Sequence, residues 1–129
     1  MPAPPRAGIG APKAEVNSWG EQVVKGILKN DLAAVQQAFI SDPKADINAQ
    51  ARNWGKSFYG GYYFKATKDF IEGDTAFHLA VKKDCLEIIR FMLTLYPRPR
   101  LDIKNKNGKI ALDYVASDST RQLLTLADF

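Results

Sequence analysis

The apolar positions of this chain fall into helical stripes separated by short polar breaks. Val23-Val24 and Ile27-Leu28 recur at i, i+4 spacing, and Leu32, Val35 and Phe39 follow the break at Asn30-Asp31. That spacing lines one face of a helix. Phe77, Leu79, Ile88, Ile89, Met92 and Leu93 form a second, more apolar group, and Leu123-Leu124 end the series. Ser117 to Ser119 offers an N-cap for a last helix. The pattern predicts six helices, over residues 19–29, 32–41, 75–83, 86–95, 109–117 and 119–127.

The stripes repeat. Laid against itself at an offset of 54, the chain matches Leu32 to Leu86, Val35 to Ile89, Phe39 to Leu93, Pro43 to Pro97 and Ile47 to Leu101. Gly26 falls on Ala80, a small residue where two helices of a pair come close, and Asn48 falls on Asp102. Asn30 sits at the turn of the first pair, where its tolerance of positive φ is useful. Gly73 and Gly108 are only 35 residues apart, so an offset of 54 leaves 19 residues over. They predict an insertion between Asn53-Trp54-Gly55 and Glu72-Gly73.

The segment Gly73-Asp-Thr-Ala-Phe-His-Leu-Ala80, followed by Leu86-Glu-Ile-Ile-Arg-Phe-Met-Leu93, resembles the ankyrin-repeat signature G-x-T-P-L-H-L-A-A and L-E-V-V-x-L-L-L. Gly108-Lys-Ile-Ala-Leu-Asp-Tyr-Val-Ala116 returns to it, and Ala45-Asp-Ile-Asn-Ala49 is close to the G-A-D-V-N-A that closes a family repeat. The observed 35 residues compare with a family period of about 33. The chain departs from the family at Ala76 for Pro, Asp84 for the turn Gly and Ile110 for Thr. The resemblance implies an all-α solenoid of stacked helix pairs with β-turn fingers, one of them extended into a β-hairpin. Its repeats would span about 17–53, 72–106 and 107–129, with the insertion at 54–71 and an extended Pro-rich arm at 1–16. It also implies that His78 is a structural post bonded to Thr75 and neighbouring backbone, with Asp113 taking its place in the third repeat.

Within 54–70, 7 of 17 residues are aromatic, half of all the rings in the chain. Gly60-Gly61 between Phe58-Tyr59 and Tyr62-Tyr63-Phe64 is a two-residue hairpin signal. The rings admit two uses, cover for a thin core or a docking surface, and alternate residues can serve both. Half the rings of the chain exceed what one thin face buries, which favours docking and predicts that the insertion can be deleted without unfolding the rest. The candidate partner-binding residues here are Trp54, Phe58, Tyr59, Tyr62, Tyr63 and Phe64, because aromatic residues dominate interface hot spots.

Charge adds a second candidate surface. The net charge is a modest +4, but Arg98, Arg100, Lys104, Lys106 and Lys109 cluster in twelve residues against Asp102 alone. Lys56, Lys65 and Lys68 make the inserted finger basic too. Arg98, Arg100, Lys104 and Lys106 are therefore candidate contacts for an acidic protein surface, with nucleic acid the weaker alternative because no RRM, KH or helix-turn-helix pattern occurs.

Chemistry finds little foothold. Neither glycine pair has the spacing of a phosphate loop, no nucleophile elbow accompanies His78, and the carboxylates sit at turn or cap positions. One His and one Cys cannot assemble a structural zinc site. No apolar run reaches 18 residues, so no transmembrane helix is expected. The first thirteen residues hold four prolines and no apolar core of a secretory signal. The lone Cys85 fits a reducing, cytoplasmic setting. The expectation is a non-enzymatic protein–protein interaction module without catalytic residues, metal, cofactor, small-molecule substrate or membrane insertion. Its leading form is a small adaptor or subunit of a larger assembly. A free inhibitor of a protein partner and a nucleic-acid-associated accessory protein are the alternatives.

Overall fold

The computed structural model describes residues 18–53, 57–65 and 69–127. The N-terminal arm expected at 1–16 lies outside them, as do Trp54, Lys56 and Lys68 of the finger. The described elements are α1 (Trp19–Leu28), α2 (Leu32–Ser41), β1 (Arg52–Asn53), β2 (Ser57–Tyr59), β3 (Tyr62–Phe64), α3 (Ala76–Lys82), α4 (Leu86–Met92), a 3-10 turn (Ala111–Tyr114) and α5 (Asp118–Ala127).

Local chemistry sets the helix ends. The Ser18 hydroxyl accepts from the Glu21 amide at 3.1 Å, and the Asp31 carboxylate accepts from the Ala34 amide at 3.2 Å, each satisfying a donor at a helix start. The α1 stripe of Val23, Val24 and Ile27 is buried, as are Ile88, Ile89 and Met92 of α4. A Cβ on Gly26 would lie 2.8 Å from the Val35 side chain, so the missing side chain lets α1 and α2 close up.

One turn of the backbone recurs at the sequence offset of 54. Asn30 and Asp84, 54 positions apart, take positive φ of 54° and 56°. Each ends its helix with the same bonds: Asn30 N–H donates to Ile27 and Asp84 N–H to Val81, while Asp31 N–H reaches Gly26 and Cys85 N–H reaches Ala80. Side by side, α1 packs on α3 and α2 on α4, and α5 continues from α4.

Two expectations need correction. The fold is mixed α/β rather than all-α, because Arg52–Asn53, Ser57–Tyr59 and Tyr62–Phe64 form a three-stranded antiparallel sheet in the order β1-β2-β3. The hairpin turns at Gly60 and Gly61, whose φ of +50° and +82° suit a tight two-residue turn. Phe58 pairs with Tyr63 and Tyr59 with Tyr62, and β1 then adds a strand by pairing Arg52 with Phe58. The helix expected at 109–117 is a single 3-10 turn. Thr75 caps α3 by accepting from the His78 amide, whereas Ile110 at the matching place has no side-chain oxygen to offer. Val115 then takes an extended conformation and ends the turn.

The insertion leaves and re-enters at adjacent points. Ala51 N–H donates to Asp74 at 2.7 Å, and Gly73 N–H donates back to Ala51 at 2.8 Å. The sheet is thus a side excursion from a closed backbone seam. It docks on the start of α1.

Candidate interaction surface

Gly20 fixes that docking. Its amide donates to the Gly60 carbonyl at 3.0 Å. A Cβ at Gly20 would fall 2.1 Å from the Tyr59 carbonyl oxygen, so only glycine allows the hairpin turn to sit there. The strand pairing then divides the rings by face, since side chains alternate along a strand. Ser57, Tyr59, Tyr62 and Phe64 share the face turned to α1. Tyr59 is 1% exposed, with its ring edge-on to Trp19 at 5.1 Å and to Phe70 at 5.3 Å. Phe64 stacks on Phe70 at 4.9 Å, and Lys25 Nζ lies 5.9 Å from the centre of the Tyr62 ring.

Tyr59 is therefore a core residue and not a contact for a partner. Burial raises the pKa of its hydroxyl, with a smaller opposing pull from the Ala76 backbone. Tyr62 and Phe64 are partly buried against the same core. On the opposite face, Phe58 and Tyr63 form an edge-to-face pair at 5.1 Å and remain half-buried. Of the aromatic candidates among the described residues, these two face away from the core.

The basic candidates separate likewise. Arg98, Arg100 and Lys104 come together around an open groove of about 670 Å³ whose floor holds Pro99, Leu101 and Ile110. Arg100 grips Asp102 through Nε at 3.1 Å and Nη2 at 3.0 Å; this bond lowers the carboxyl pKa of Asp102. Lys106 is exposed but outside the groove, with its amide bonded to the Glu72 carbonyl at 3.0 Å.

Two residues that sequence reasoning missed hold this edge. The Asn48 side chain accepts from the Arg100 amide at 2.7 Å and donates to the Arg98 carbonyl at 3.1 Å. Gln50 Nε2 donates to the Lys104 carbonyl at 3.2 Å and to the Gly73 carbonyl at 2.8 Å. Their partners on this edge lie 50, 52 and 54 residues away in sequence, so no local pattern marks them.

His78 is 1% exposed. The Thr75 amide donates to Nδ1 at 3.1 Å, which assigns the ring proton to Nε2, and Nε2 donates to the Lys109 carbonyl at 3.1 Å. Both ring nitrogens are spent on backbone, so neither is placed to move a substrate proton. Beside it, buried Asp74 accepts from Lys82 Nζ at 2.6 Å and from Asn105 Nδ2 at 2.9 Å. Asn105 also donates to the Tyr114 hydroxyl at 2.8 Å, and Lys82 Nζ stands 4.4 Å from the Tyr114 ring centre. The cluster closes on itself and ties α3 to the following turns.

Cys85 is buried, and burial raises its thiol pKa, which disfavours the thiolate. Among the described residues, no helix is long and apolar enough to cross a membrane. Compared with known proteins, the chain matches no family model and no curated protein.

Proposed function

We propose that this chain is a non-enzymatic protein–protein interaction module of the ankyrin-repeat type, working as a small adaptor or subunit of a larger cytoplasmic assembly. The observation that carries this reading is the division of the hairpin. Its inner rings pack on the core, and Phe58 and Tyr63 pair with each other, half-buried, on the opposite face. A hairpin needed only as cover has no use for a second aromatic face, whereas large rings that lose little side-chain freedom suit an interface. The Asn30/Asp84 equivalence supports the repeat assignment. The commitment of both His78 nitrogens to backbone supports a non-enzymatic role.

The test is isolation of the tagged chain from native extract at physiological salt, with and without nuclease. The reading expects elution well above the size of a monomer, in fixed stoichiometry with protein, unchanged by nuclease. Elution as a free monomer contradicts the subunit form of the reading. Collapse of the particle on nuclease treatment favours the nucleic-acid alternative, which the basic edge at 98–109 supports; its affinity would fall steeply with salt.

A further inference from the structure

The groove at residues 98–110 has the construction of a binding site, with Leu101 of its floor also packed against the core. Its rim and its floor differ in chemistry. The described residues that line it are three cations, Arg98, Arg100 and Lys104, one carboxylate, Asp102, and the apolar Pro99, Leu101 and Ile110, which form its floor. Solubility alone asks for exposed charge and not for an apolar trough beneath it.

The rim is also held in place. Each of its three cations has its own backbone bonded by an amide side chain: Arg98 and Arg100 by Asn48, Lys104 by Gln50. A loop fixed in this way loses little freedom when a ligand arrives, and that saving appears as affinity. The Arg100 fork already grips a carboxylate in two-point geometry. Because an exposed pair of this kind is weak, a carboxylate from outside can share or replace Asp102 at small cost.

We propose that this groove docks an acidic peptide segment of a protein partner, with carboxylates on Arg98, Arg100 and Lys104 and an apolar side chain on Leu101 and Ile110. This rests on the interaction-module reading and names a second contact of that module. Charge complementarity sets the sign of the partner, and the floor sets its class. A phosphodiester backbone has nothing to place on an apolar floor, and among the described residues the groove's lining has no aromatic ring on which a base could stack. Asn48 is the positioning residue.

The experiment is a titration of the isotopically labelled full chain with three synthetic peptides, followed by amide chemical shifts at low and at physiological salt. One peptide alternates Glu with Leu, one Glu with Ser and one Lys with Leu; oligouridine is the fourth probe. The expected result is saturable shifts at residues 98, 100–104 and 110 with the Glu/Leu peptide. Removal of the apolar anchor in the Glu/Ser peptide should weaken binding about fivefold or more, since one buried side chain is worth that much. The Lys/Leu peptide should not bind.

Substitution of Arg98→Ser with Arg100→Ser, both exposed, should weaken the Glu/Leu peptide about tenfold at low salt and less at high salt. Asn48→Ala should weaken the same peptide with all rim charges still present, and its amide spectrum reports whether the fold is intact.

Equal binding of the Glu/Leu and Glu/Ser peptides overturns the apolar anchor. Tighter binding of oligouridine at the same residues overturns the peptide assignment. Absence of shifts in this region with every peptide overturns the groove as a docking site. Neither that result nor shifts confined to residues 57–64 touches the module reading, which the native isolation decides separately.

Discussion

At the scale of single residues, His78 shows how a pattern that suggests chemistry resolves into structure. Burial lowers its pKa below the ordinary 6.5, so the folded chain holds the neutral ring. The unfolded chain takes up a proton near 6.5 and the folded chain does not. The stability from His78 is therefore complete above 6.5 and is lost as the pH falls from there through the folded value. Asp74 works against this shift and Lys82 works with it. Urea unfolding at pH 7.5 and pH 5 should show a loss of stability for the parent at the lower pH, and a smaller loss for His78→Gln. An equal loss in both would assign the pH dependence to other groups. At the same scale, Ile89 is fully buried in α4, and Ile89→Ala should cost about 2–5 kcal/mol. A melting temperature equal to that of the parent would contradict the packing of α4. Leu86, which the sequence offset matches to Leu32, is only half-buried.

At the scale of elements, helices with a capping side chain were legible at their starts, and α4, which has none, was legible from its apolar stripe alone. Helices over 19–28 and 32–41 follow the apolar spacing almost to the residue, because Ser18 and Asp31 announce their starts. The expected helix at 109–117 shrank to one turn because Ile110 cannot do what Thr75 does. The hairpin was legible through its two glycines, but β1 was not: Arg52-Asn53 carries no alternation and becomes a strand only by pairing with β2. The view that the insertion can be removed without cost also fails physically. Tyr59 and Phe70 are core residues and Trp19 leans on Tyr59, so deletion of 58–70 would uncover α1. Gly20→Ala isolates this docking in one atom, since the new Cβ meets backbone rather than a movable side chain. It should cost about 1–3 kcal/mol as an overpacked contact and expose the Gly20 amide to exchange. Unchanged stability and unchanged protection would mean that the hairpin does not rest on α1.

At the scale of the whole molecule, the sequence placed aromatic and basic residues on neighbouring excursions of the chain without saying which of them face outward. That depends on strand register and on contacts across about 50 residues, which local pattern does not carry. The register turns Tyr59 inward and Phe58 with Tyr63 outward. The Asn48 clamp gathers Arg98 and Arg100 into one rim, and leaves Lys106 beside it. The molecule thus carries two sets of rings, one packed in the core and one on the opposite face of the sheet, the latter proposed above as the partner contact. The direct test compares two variants of the chain, Tyr59→Ser and the double variant Phe58→Ser with Tyr63→Ser, by melting temperature and by co-elution with the native assembly. Tyr59→Ser should lower stability by about 3–5 kcal/mol, as loss of a buried ring does. The double variant should lose at most about 1–2 kcal/mol, the worth of a half-buried cross-strand aromatic pair, yet elute free of the assembly. A double variant that stays folded and still joins the assembly would contradict the account.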